Sequence, residues 1–219
     1  MASRGRQGGK SGWRVLIVGT GGQGVLTAAR LLCDLFVDRG HDVVSGQLHG
    51  MAQRGGSVQS SVLIDCGSSP MIAKGRADVV LGFEPVETAR ALPFMSSRTV
   101  VYMNTNPVIP YTVGQQWVLS KGKAEYPCVD ELRETIEAVT PHLYSFDVTG
   151  LAEESGSSTT LNMIMLGCLL GSGSFPYAPG DFCSALSGRL PPASADANRK
   201  AFSKGVELGK TFQRSECYS

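Results

Sequence analysis

The chain has 219 residues, 42% of them hydrophobic and 18% charged, which is enough for one full domain with its own core and too few for two complete ones. A formal net charge of +1 leaves no overall electrostatic basis for binding nucleic acid or an anionic membrane surface. No stretch reaches the roughly eighteen consecutive apolar residues of a membrane span, and no secretory signal is present, so the sequence predicts a soluble, cytoplasmic protein.

Residues 1–12 are basic through Arg4, Arg6 and Lys10 and otherwise Gly-, Ser- and Gln-rich, a composition that buries no core and reads as a flexible leader. The core begins with Val15-Leu16-Ile17-Val18, which runs straight into Gly19-Thr20-Gly21-Gly22-Gln23-Gly24 and then into an apolar helical pattern. That is strand, tight turn, helix. Glycines here let backbone amides approach a ligand, and the first amides of the following helix, with the positive end of its dipole behind them, suit an anion. Gly19, Gly21 and Gly24 fit the dinucleotide spacing G-x-G-x-x-G in its expected context. The acidic residue expected about 20 positions on is missing, however. The second strand ends in Ser45, Gly46 and Gln47, and Asp42 precedes its apolar run, which argues against nicotinamide chemistry.

The helix runs from Val25 to Asp38, with Leu26, Ala29, Leu32, Cys33, Phe36 and Val37 as its apolar positions and Gly40 as its stop. Val43-Val44 is a short second strand, completing the opening unit of a doubly wound sheet. Gly46 to Gly56 is too glycine-rich and too poorly patterned for a regular element and reads as a loop. An alternating strand follows from Ser57 to Cys66, with Val58, Val62 and Ile64 on one face. Ser57, Gln59 and Ser61 lie on the other, an exposed or subunit-facing surface. Residues 77–83 form a buried parallel strand, and Glu84-Pro85 opens a helix to Leu92. Residues 99–103 are another strand, ending at Asn104-Thr105-Asn106-Pro107, polar residues at the strand edge where open α/β sheets bind ligands.

Residues 108–122 read as an excursion over that edge, 129–139 as a helix and 144–148 as a final strand. Thr160 to Leu170 is apolar on most sides and predicts a buried or interface helix, an all-round character that points towards a partner. Two further helices are expected, over 179–190 and over 194–212 after Pro191-Pro192. The fold class is thus a Rossmann-like α/β protein: a doubly wound, mostly parallel sheet flanked by helices, with C-terminal helices. One domain spans 13–213, and 214–219 form a tail.

Candidate site residues are few. Arg54, between Gln53 and the glycines Gly55 and Gly56, carries a planar fork suited to phosphate or carboxylate. A loop arginine pairing with a neighbouring carboxylate or a partner subunit fits the same pattern. His49 has no carboxylate or nucleophile companion in sequence, and a structural histidine is the plainer reading. Glu153-Glu154 reads as a solvated helix face, and Ser57, Ser60 and Ser61 lack a nucleophile elbow. Cysteines at 33, 66, 128, 168, 183 and 217 form no C-x-x-C pair, so no metal, cluster or disulfide framework is expected of this chain. The result is an anion-binding loop without a catalytic set, as in a domain that binds and docks.

Two segments, Gly19 to Ala29 and His49-Gly50-Met51-Ala52-Gln53-Arg54-Gly55-Gly56-Ser57-Val58, together resemble the gamma-type domain of the 2-oxoacid:ferredoxin oxidoreductase family. The resemblance covers about residues 13 to 212, including Asn162 to Gly167 and Asn198 to Gly205 in the closing helices. The wording of 49–53 resembles the indolepyruvate, or arylpyruvate, branch. The resemblance implies a subunit of a complex that oxidatively decarboxylates an aryl 2-oxoacid, forms its coenzyme A thioester and reduces ferredoxin. Thiamine diphosphate and the iron–sulfur (4Fe-4S) clusters are then expected on a large partner subunit. It implies no catalytic residue here. Gly19, Gly21, Gly22, Gln23, Gly24, Gln53, Arg54, Gly55 and Gly56 are the residues expected to help hold coenzyme A. An independent NAD(P)-dependent reductase and a stand-alone nucleotide-binding domain are the rival readings.

Overall fold

A computed structural model of the protein describes residues 12–49, 56–108, 126–175, 177–180, 182, 189 and 192–216. Six strands form one sheet: β1 (Trp13–Thr20), β2 (Val43–His49), β3 (Ser57–Ile64), β4 (Val79–Gly82), β5 (Val100–Asn104) and β6 (Leu143–Phe146). Their spatial order is β2-β3-β1-β4-β5-β6. The helices are α1 (Val25–Val37), α2 (Pro85–Arg90), α3 (Val129–Glu137), α4 (Val148–Glu154), α5 (Leu161–Gly171) and α6 (Pro192–Glu216).

The sheet is parallel except for β3, which pairs antiparallel with β1 on one side and β2 on the other. The opening strand–helix–strand unit is therefore split. Strand β2 runs in the direction of β1 but lies one strand away, with β3 between them. Strand β2 also extends through His49, so Gly46 to His49 are strand where the sequence reads as loop. Residue-by-residue pairing from Val43↔Ile64 to His49↔Val58 supplies the ladder that local propensity does not. Gly46 suits the place because a side chain there would meet the Pro70 ring at 2.6 Å.

Central β1 is buried on both faces, which is why it reads as a continuous apolar run. Val15 and Ile17 face a large core built with α1, α4, α5 and α6, and Leu16 and Val18 face a smaller one with Ile72, Val80, Val101 and Ile136. On α1 the buried residues are Val25, Ala28, Ala29, Leu31, Leu32, Leu35 and Phe36. Leu26 and Val37, expected inside, are 38% and 58% exposed. Apolar residues occupy adjacent positions along this helix, so periodicity alone leaves its rotation on the sheet ambiguous. The polar face of β3 differs too. Ser61 is 7% exposed because the chain at Pro70 lies over it, its hydroxyl donating to the Pro70 carbonyl at 2.5 Å.

Helix α5 is buried along its whole length, as its composition predicts, but its cover comes from this chain and not from a partner. Glycines spaced by four on both helices, Gly167 and Gly171 on α5 and Gly205 and Gly209 on α6, press backbone against backbone. A Cβ at Gly205 would stand 2.9 Å from the Ile164 carbonyl carbon, and one at Gly209 would stand 2.8 Å from the Ser172 nitrogen. The end of α6 reaches β6, where Phe212 stacks on Tyr144 at 4.5 Å. Glu154 ends α4 at the surface and pairs with Lys204 of α6 at 3.0 Å. The excursion expected over 108–122 and the helix expected over 179–190 lie mostly outside the described residues.

Candidate ligand-binding site

All five parallel strands end on one edge, and the chain leaves β1 and β4 towards opposite faces: α1 packs in the larger core, while Ala91 at the end of α2 packs in the smaller one. A crevice opens at such a switch point, and it is where open α/β sheets receive ligands. The glycine loop occupies that place. Gly24 is the N-cap of α1 with a left-handed φ of 82°, and its Cα packs on Asn162 so closely that an added Cβ would lie 3.0 Å from the Asn162 Nδ2. Gly22, with φ 105°, is exposed and open above. Only glycine takes both positions without strain.

Among the described residues no side chain caps α1, and its first return bond is Ala28 N–H to the Gly24 carbonyl at 2.9 Å. The amides of Val25, Leu26 and Thr27 therefore lack intrahelical acceptors. Leu26 and Thr27 are at the surface, so these donors and the positive end of the dipole face the edge.

Gln23 plays a different part from the glycines. Its Oε1 accepts from the Thr20 amide at 2.8 Å and the Thr20 hydroxyl at 3.1 Å, and its Nε2 donates to the Phe83 carbonyl at 2.8 Å. The side chain fastens the loop across the switch point to the end of β4. Gly19 has no room for a side chain because this amide sits 2.8 Å from where a Cβ would be. The two sequence motifs meet: the Gly21 amide donates to the Gly56 carbonyl at 2.9 Å, and Thr20 pairs with Ser57 in the ladder. Gln53, Arg54 and Gly55 lie outside the described residues, as does the side chain of His49.

Several residues at this edge carry no motif signal. Asn104 is fully buried. Its Nδ2 donates to the Phe83 carbonyl at 3.1 Å and the Thr149 hydroxyl at 3.2 Å, and its Oδ1 accepts from the Val148 amide at 3.0 Å. Asn162, 5% exposed, has an Oδ1 without a hydrogen-bond partner among the described residues. Its signals in the sequence are its place at the start of the Asn162–Gly167 segment of the resemblance and its polarity in an otherwise apolar helix. Glu84 and Glu87 open α2 at 2% and 5% exposure. The Tyr126 hydroxyl donates to Glu84, and burial, reinforced by that carboxylate, pushes the phenol far above its usual range.

Among the described residues at this edge no nucleophile is assembled with a base. Burial also pushes the pKa of the Cys33, Cys66 and Cys168 thiols up, which favours their protonated form. Among the described residues no three His, Cys, Asp or Glu side chains are grouped as a metal would need. The sheet order bears on nicotinamide binding as well. With β3 interposed, the end of β2 stands two strands from the glycine loop, about 10 Å away at about 4.8 Å per strand. That end is not adjacent, as a ribose-binding strand must be.

The sequence matches the family of pyruvate ferredoxin/flavodoxin oxidoreductases over residues 14–208. It is 36% identical over 200 residues to the indolepyruvate oxidoreductase subunit IorB of Pyrococcus horikoshii, covering 90% of this chain and 96% of that one. The fold is similar to the gamma subunit of a keto/oxoacid ferredoxin oxidoreductase from Geobacter sulfurreducens, with a TM-score of 0.62 at 20% identity over 91% of this chain and 99% of that one. It is also similar to part of the 2-oxoglutarate:ferredoxin oxidoreductase of Magnetococcus marinus, with a TM-score of 0.65 at 17% identity, covering 93% of this chain and 32% of that longer one.

Proposed function

Because the chain belongs to the pyruvate ferredoxin/flavodoxin oxidoreductase family, we propose that it is the small, non-catalytic subunit of an indolepyruvate-type complex. The complex oxidatively decarboxylates an aryl 2-oxoacid to its coenzyme A thioester and passes the electrons to ferredoxin. The observation that carries this reading is the end-to-end likeness to the Pyrococcus subunit, over 96% of that protein's length. Thiamine diphosphate and the iron–sulfur clusters sit on a large partner subunit. The described cysteines of this chain, on separate elements and in part deeply buried, are not a ligand set for a cluster. No described helix is long and apolar enough to cross a membrane, and the reading places the complex in the cytoplasm.

The chain's own part is to hold the nucleotide end of coenzyme A. The residues fit a phosphate: uncapped amides at Val25, Leu26 and Thr27, and an exposed Gly22 with nothing within 4 Å of where a Cβ would stand. Arg54, on the segment that returns to Gly21 through Gly56, supplies the positive charge. Gln23 keeps the loop rigid, so that little ordering is left to do on binding. Coenzyme A brings the thiol that accepts the acyl group, and no proton or electron passes through these residues.

Reconstitution with the large subunit tests the reading. The complex oxidises an arylpyruvate with coenzyme A and an electron acceptor, and this chain alone does not. Arg54→Ala raises the KM for coenzyme A about tenfold or more, the loss of one charged contact to phosphate, with kcat at saturation little changed. Activity in the large subunit alone equal to that of the complex would overturn the subunit reading, and an unchanged KM would overturn the site.

A further inference from the structure

The first turn of α2 carries two carboxylates that are almost completely buried. Burying an ionised carboxylate is costly unless its oxygens are filled by donors, and apolar residues would secure so short a helix at lower cost. Here the donors come from three other parts of the chain. Glu87 Oε2 accepts from the Ser57 hydroxyl at 2.5 Å, while its Oε1 takes Arg90 Nη1 at 2.6 Å. Glu84 Oε2 caps the Glu87 amide at 2.9 Å, and Oε1 accepts from the Tyr126 hydroxyl and from the Val108 amide at 3.4 Å.

These partners share a location. Ser57 begins β3, directly after the Gly56 whose carbonyl holds the Gly21 amide. Val108 and Tyr126 stand just beyond the carboxyl end of β5 and just before α3. Helix α2 itself follows β4, on the face of the sheet opposite α1. The two carboxylates thus tie chain from both sides of the switch point to one rigid turn. Hydrogen bonds fix direction as well as distance, which apolar packing does not.

We propose that Glu84 and Glu87 are positioning residues for the glycine loop and its neighbours: Glu87 acts through Ser57 on the Gly56–Gly21 contact, and Glu84 fixes the chain at Val108 and Tyr126. Neither touches the ligand. The proposal rests on the reading of the glycine loop as the coenzyme A cradle, and its test separates the two.

Ser57→Ala, Glu87→Ala and Glu87→Gln are compared with Arg54→Ala in the reconstituted complex. Ser57→Ala breaks the tie without leaving a new buried charge, since Arg90 still pairs with Glu87. Glu87→Gln keeps an acceptor oxygen for Ser57. Ser57→Ala and Glu87→Ala are expected to raise the KM for coenzyme A about tenfold, with kcat at saturation within about twofold, and Glu87→Gln to restore most of the loss. Hydrogen exchange gives a readout independent of coenzyme A: peptides covering 19–26 and 56–62 exchange faster in Ser57→Ala than in the parent complex. An Arg54→Ala effect on KM with no Ser57→Ala effect overturns the positioning role and leaves the cradle standing. Unchanged exchange in Ser57→Ala overturns it whatever the kinetics. Faster exchange together with no KM effect from either variant keeps the tie and overturns the cradle reading. Should Glu87→Ala fail to assemble, Ser57→Ala and Glu87→Gln decide the matter.

Discussion

The carbonyl of Phe83 accepts from two side-chain amides, Gln23 at 2.8 Å and Asn104 at 3.1 Å, which tie the ends of β1 and β5 to the end of β4. Both act at a distance in sequence, over 60 residues for Gln23 and 21 for Asn104. Gln23→Ala strips the amide and hydroxyl of Thr20, which is 2% exposed, of their acceptor. The expected cost is about 1–3 kcal/mol, a fall in Tm of several degrees at about 2–4 °C per kcal/mol for a chain of this size, measured by thermal denaturation. An unchanged Tm would mean that water replaces the glutamine without loss. Gln23 was legible as part of a glycine loop, but not as its fastener, because its partner is a backbone carbonyl that no composition or spacing marks. Asn162 is the converse case. It begins a segment that carries the family resemblance, yet its place against Gly24 follows only from how α5 packs on the start of α1.

At the scale of elements, the strands with continuous apolar runs were legible because burial on both faces leaves its mark on every residue, as in β1 and β4. Strand β2 was legible only in its first two residues. Its second half is held by β3, whose pairing partner cannot be read from one segment. The close contact of α5 and α6 had a signal that composition hides: four-residue glycine spacing on both helices. Gly209→Val places a side chain against the Cys168 and Ser172 backbones, where neither helix can give way cheaply. It should cost at least about 1–3 kcal/mol by overpacking. Gly180→Ala, where an added Cβ meets nothing within 4 Å, should cost far less. Equal Tm values for the two variants would refute the interlock. The same contact explains why an all-apolar helix needs no partner here: α6 supplies the cover.

For the whole molecule, the order β2-β3-β1-β4-β5-β6 bears on which ligand the glycine loop can serve. In a nicotinamide fold the strand after the first helix lies beside the first strand and presents an acid to the ribose. Here an antiparallel strand intervenes, and the displaced β2 ends in Gln47, Leu48 and His49. Isothermal titration of the chain with NADH or NADPH should show no saturable binding at millimolar ligand. Tight binding would restore the reductase reading. The edge left beside β1 is instead shaped by Gly56, Ser57 and α2, an arrangement that crosses from one face of the sheet to the other.

Local sequence set the strand–glycine–helix unit, the alternation of strands and helices that makes an α/β sheet, and the kinship of its two glycine-bearing motifs. Each of these is local, set by side-chain period and by which residues tolerate a left-handed turn. Tertiary structure alone decided that β3 would lie between β1 and β2, that α5 would be covered from within, and that Gln23, Asn104, Glu84 and Glu87 would be spent holding the edge together. Those outcomes depend on hydrogen-bond partners tens of residues apart. Which distant donor meets which acceptor is settled by how the layers pack, after local preference has had its say.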